Sequence, residues 1–363
     1  MPRKINLILR SEIYVFAILI NILPFFVSSC NNMNDENIIQ KTSANEMRSN
    51  NLSIIDKDSL ILKQKKKDIH LDSALYDSKL LFLCHNKPSR KWPVIADYPL
   101  PGAILPFKRI IAYYGNFYCA QMGILGVPPT ELMLQKLQKE VKNWENADTS
   151  TEVIPALHYI AVTAQHSPGL QRKYRLRMPF SEITKTIQLA KKINALVFLD
   201  VQIGHSSLQE ELPVLESFLS LPNVHIGIDP EYSMKNGEIP CSKIGTFNAS
   251  DINYAVKYLA QVRNKYHIPP KILIVHRFNK AMVTNYNLIE TCPEVQIVMN
   301  MDGFGFPDKK RSSYTSAITN EPVQFAGFKI FYKYDIVPPK WAQVMQPKQV
   351  LELYPAPIYI QYQ

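Results

Sequence analysis

The chain has 363 residues, of which 46% are hydrophobic and 10% aromatic, enough for a sizeable core. Its net charge of +10 is spread out (+2 over residues 1–29, +3 over 30–95, +5 over the remainder), so no nucleic-acid surface is read from it. No GxGxxG after a strand pattern, no GxxxxGK[ST] and no GxSxG is present, which argues against nucleotide and α/β-hydrolase chemistry.

At the N-terminus, Arg3, Lys4 and Arg10 precede an apolar run from Ile13 to Val27. Val27-Ser28-Ser29-Cys30 follows, and the composition then turns polar. A basic start, a short apolar core and small residues before a cleavage point make a secretory signal. About 15 apolar residues fall short of the roughly 20 that a spanning helix needs. The pattern resembles the bacterial lipoprotein signal, whose lipobox cysteine becomes the lipid-bearing mature N-terminus. That resemblance implies loss of residues 1–29 and fatty acylation of Cys30, with palmitate among the chains. It also implies export and anchoring in the cell membrane or outer membrane. Stable anchoring takes more than one acyl chain.

Residues 31–75 are rich in Asn, Ser, Lys and Asp and lack sustained periodicity, and the segment 30–95 is bounded on that reading. They are expected to form a polar, disordered tether, with order beginning between Leu80 and Pro101. The dense basic run Lys63–Lys67 lies within it and suits solubility or an anionic surface. Cys84, Cys119, Cys241 and Cys292 have no CxxC spacing, and are read as one disulfide or as free thiols.

From Lys108 onward, short β-branched runs alternate with amphipathic stretches. Strands are predicted at 109–114, 152–160, 196–201, 224–229, 272–276, 295–302, 325–331 and 358–361. Helices are predicted at 131–144, 181–194, 209–219 and 249–266, with Ser181 and Ser250 as caps and three shorter helices later. Eight alternations have the rhythm of an α/β, (β/α)₈ TIM-type barrel over residues 96–363. An open doubly wound sheet is the alternative.

A barrel carries its site where the strands end, and alternate residues face inward. In the fourth strand Val224, Ile226 and Ile228 share the apolar face. His225, Gly227 and Asp229 share the other, and Glu231 follows Pro230 at the mouth. The same alternation aligns Ala112 with Tyr114, Ala156 with His158, Phe198 with Asp200 and then Gln202, Ile274 with His276, Asn300 with Asp302, and Gly327 with Lys329. Polar groups thus collect late in each strand. Singly, each has a plainer role, as turn residue, cap or core histidine; jointly they mark a site.

Paired carboxylates at a barrel mouth are the apparatus of glycoside hydrolysis. Glu231 is the candidate acid, and Asp229, Asp200 and Asp302 are candidate partners. Tyr114, His158, Gln202, His276, Asn300 and Lys329 are candidate substrate contacts. Arg175, in the basic loop 172–177, would hold an anionic group. Tyr113, Tyr232, Phe304, Phe306 and Trp341 are candidate sugar-stacking aromatics. The Asp229-x-Glu231 element resembles the DxE element of chitinase-like and lysozyme-like glycosidases. The longer DxxDxDxE form is absent, being broken at Val224, Gly227 and Pro230. Residues 108–333 also resemble uncharacterised barrel lipoproteins, a likeness that implies the fold and no activity. The leading expectation is therefore a lipid-anchored hydrolase of glycans or cell-envelope polymers, with no cofactor assigned. The second is a metal-dependent hydrolase of phosphodiesters or amides. It rests on ligand types (His158, Asp200, Asp229, Glu231, His276, Asp302) without HxH or HExxH spacing. The third is a non-catalytic surface receptor.

Overall fold

The computed structural model describes residues 71–363. Along them run α1 (Ser73–Leu83), β1 (Lys108–Gly115), α2 (Thr130–Ala147), β2 (Glu152–Ala164), β3 (Arg175–Arg177), α3 (Phe180–Lys192), β4 (Leu196–Val201), α4 (Leu208–Glu211), α5 (Glu216–Leu219) and β5 (Val224–Ile228). Next come β6 (Phe247–Asn248), α6 (Ala249–Tyr266), β7 (Lys271–His276), β8 (Val283–Thr284), β9 (Val295–Met301), α7 (Pro307–Tyr314), β10 (Phe325–Ile330), α8 (Pro347–Leu351) and β11 (Tyr359–Tyr362).

Strands β1, β2, β4, β5, β7, β9, β10 and β11 are mutually parallel in that order. The sheet closes because β1 pairs with both β2 (Ala112 beside Ala156) and β11 (Ala112 beside Gln361). The fold is the expected (β/α)₈ TIM-type barrel, and closure excludes the open sheet. Side-chain alternation divides the core in two. Ile110, Ala112, Ala156, Phe198, Ile274 and Val298 fill the barrel interior, while Ile111, Leu157, Leu199, Ile226, Leu273 and Ile297 pack outward under the helices.

The barrel domain begins earlier than residue 96. Helix α1 places Tyr76 and Leu83 in the interior cluster with Leu105, and Trp92 is buried as well. Residues 73–92 are therefore part of the folded domain, not of the tether. The sequence pattern hides α1 because Leu75, Leu81 and Phe82 stay exposed, which blurs its apolar stripe. The signal, Cys30 and residues 31–70 lie outside the described residues. No helix among the described residues is long and apolar enough to cross a membrane.

Two local readings are corrected. The stretch 209–219 is not one helix; Pro213 splits it into α4 and α5, since proline lacks the amide proton a continuous helix uses. The caps also shift. Asn248, not Ser250, caps α6, in a capping box with Asp251. Helix α3 starts after Pro179 with no side-chain cap from Ser181. All four described cysteines are free thiols.

Candidate active site

The middle of the barrel interior is largely apolar and turns polar toward the strand ends, a change made at equivalent positions of successive strands. Asp200, at the end of β4, is fully buried. Its Oδ2 accepts a hydrogen bond from Tyr114 Oη on β1 at 2.9 Å. Its Oδ1 stands 3.1 Å from His158 Nε2 on β2 and 3.2 Å from His276 Nε2 on β7. On the far side of its ring, His276 Nδ1 lies 3.0 Å from Asp302 Oδ2, just beyond β9. On the far side of its own ring, His158 Nδ1 meets Tyr359 Oη at 2.6 Å and Gln361 Nε2 at 3.0 Å, both from β11.

Electrostatics follow from that arrangement. Burial pulls the His276 imidazole down, but a carboxylate beside each ring nitrogen pushes it up to about 10. Burial pushes His158 down to about 4, against the pull of Asp200. Burial would raise Asp200, yet His276 and His158 hold its carboxyl well below the usual range. Lys329 places Nζ 3.9 Å from the centre of the Tyr114 ring. Burial lowers its pKa despite the surrounding Asp302, Asp229, Asp200 and Glu231.

Asp229 and Glu231 form the rim. Asp229 is buried, and its Oδ1 accepts from the Glu231 backbone N–H at 3.0 Å, which caps the short turn Pro230–Tyr232. Pro230 is thus a positioning element: it fixes the turn that presents Glu231, which is half-buried at the mouth. Burial and then Asp302 and Asp200 push Asp229 up to about 7, against His276 and Lys329. Burial and then Asp229 and Asp302 push Glu231 up to about 8. Cys241, from the loop beyond, is close enough for Glu231 and Asp229 to raise its thiol further than burial alone does.

Most sequence-predicted residues converge. Tyr114, His158, Asp200, His276 and Asp302 form one contact network, and Gln202 joins it by donating to Tyr114 Oη at 3.3 Å. Asn300, beside His276 in the register of β7 and β9, is fully buried, with neither amide atom hydrogen-bonded. Arg175 does not take part. Its strand β3 folds back on β2, and its guanidinium is spent on Glu211 at 2.7 Å and Gln171 at 2.6 Å. A buried Arg already satisfied by Glu211 is not offered to an anionic substrate. Tyr113 is no sugar platform either. It faces outward against Tyr332 and Tyr362, because only one of two neighbours on a strand faces in. Tyr359 and Gln361 were missed, although alternation along the last strand places them on one face.

No family model and no curated protein matches this chain. Two carboxyls lifted toward neutrality stand over a buried network that contains both an imidazolium and a strongly ionised carboxylate. Such a set can donate a proton, receive one, and stabilise developing positive charge.

Proposed function

We propose that this protein is a lipid-anchored hydrolase whose substrate is a glycan or another cell-envelope polymer. The carrying observation is the Asp229–Glu231 pair: two carboxyls at the barrel mouth, on one rigid turn, each raised toward neutral pH. In this reading Glu231 protonates the leaving glycosidic oxygen. Asp229 works on the opposite charge as nucleophile or as base toward water. Asp200, held ionised by His276 and His158, keeps negative charge in the network below the pair, which suits an oxocarbenium-like transition state. The half-buried Tyr232 and Phe304 remain available for sugar contact. Anchoring through Cys30 would keep the barrel at the envelope where such polymers lie.

The test is a screen of the full-length protein against peptidoglycan fragments and common polysaccharides, followed by product chromatography. Cleavage that disappears in Glu231→Gln supports the reading. Binding of a glycan without cleavage, unchanged in that variant, would favour the receptor class. Anchoring is tested by metabolic labelling with palmitate, which Cys30→Ala should abolish.

A further inference from the structure

We propose that His158, Asp200 and His276 together bind one divalent transition-metal ion. Each offers one ligand atom, and the three atoms lie within 4.8 Å of one another, all fully buried. Asp200 Oδ1 is 3.1 Å from His158 Nε2 and 3.2 Å from His276 Nε2. With ligand bonds of about 2.1 Å, those separations subtend about 95–100° at one ion, between octahedral and tetrahedral values. Two imidazoles and one carboxylate are a ligand set that suits zinc, cobalt or ferrous iron.

Three further observations favour an ion over a simple hydrogen-bonded cluster. First, His276 Nε2 has no hydrogen-bond partner in spite of its nearness to Asp200, so an N–H there misses the oxygen. Second, each ligand is held from behind as metal ligands are. His276 Nδ1 faces Asp302, His158 Nδ1 faces Tyr359, and the second oxygen of Asp200 is taken by Tyr114. Third, buried oxygen acceptors beside the ligands have no hydrogen-bond partner. Asn300 and Asp302 Oδ1, buried and unpartnered, offer acceptors for a water on a remaining coordination position.

This inference does not rest on the glycan reading, and its test reads binding rather than turnover. Full-length protein stripped with a chelator is titrated with Co²⁺, followed by visible absorption and by proton NMR, and then challenged with Zn²⁺. The expected result is one Co²⁺ per chain, displaced by Zn²⁺, with two hyperfine-shifted exchangeable imidazole signals from His158 and His276. His276→Gln and Asp200→Asn should lose the ion, Asp302→Asn should bind it about 10–100-fold more weakly, and Glu231→Gln should bind it as the wild type does. The NMR signals of the wild type decide the matter even if a ligand variant does not fold. Substoichiometric uptake of both ions, or Co²⁺ bound without shifted imidazole signals, would overturn the proposal.

Discussion

Gly227 leaves no room for a side chain against Asp200: a Cβ at that position would lie 2.4 Å from Asp200 Oδ1, and equally 2.4 Å from His158 Nε2. Strand β5 thereby brings its backbone against the centre of the polar network, where the Asp200–His158 contact forms. Gly227→Ala must push these groups apart. Overpacking of this kind costs about 1–3 kcal/mol. Urea denaturation of the variant should show that loss, and an unchanged midpoint would mean that the network yields without strain.

Tyr114 makes a second specific prediction. Its hydroxyl donates to Asp200 and accepts from Gln202, deep in the barrel. Tyr114→Phe keeps the ring under Lys329 and removes only the hydroxyl. It strands a buried carboxylate oxygen, for about 1–3 kcal/mol. Loss of stability with the fold intact by circular dichroism is expected.

A third prediction concerns the loop after β10. Lys310 donates to Asp335 and, at 2.6 Å, to the Lys329 carbonyl. Asp335 also accepts from the backbone of Gly305 and Phe331, both at 2.9 Å. The pair is almost fully buried. Lys310→Met removes the cation and leaves Asp335 buried without it, at about 3–5 kcal/mol. Proteolysis of the 331–346 segment should accelerate; an unaltered cleavage rate would show that the segment is held by other contacts.

The rim carboxyls make stability depend on pH. Asp229 and Glu231 have folded-state pKa values of about 7 and about 8, against ordinary values of 3.8 and 4.5. Between these limits the folded chain holds protons that the unfolded chain has released. Their contribution is full at low pH and is lost as pH rises through 7 and 8. Glu231→Gln removes one of the two charges, so its melting temperature should exceed that of the wild type above pH 8, by about 2–4 °C for each kcal/mol gained. Identical melting curves at pH 5 and pH 9 for both proteins would contradict the assignment.

Much of this was legible in the sequence because two periodicities coincide. The barrel strands are short, apolar and β-branched, and within each the inward positions turn polar at the end. The runs ending in Asp200, Asp229 and His276 therefore announce the fold and bring together the candidate site. What stayed hidden depends on contacts between distant elements. Helix α1 has no clean stripe because Leu75, Leu81 and Phe82 remain exposed. Arg175 read as a free cation because its partner, Glu211, lies on a helix beyond the next strand. The convergence of His158, Asp200 and His276 has no local spacing to betray it, since each comes from a different strand.

The most direct measurement compares wild-type protein and Glu231→Gln for glycan cleavage at neutral pH, with both first shown to be folded by circular dichroism. Loss of a general acid should lower turnover by about 10²–10⁴-fold, and substrates with an activated leaving group, which needs little protonation, should recover most of the rate. Equal cleavage by both proteins would contradict the role given to Glu231.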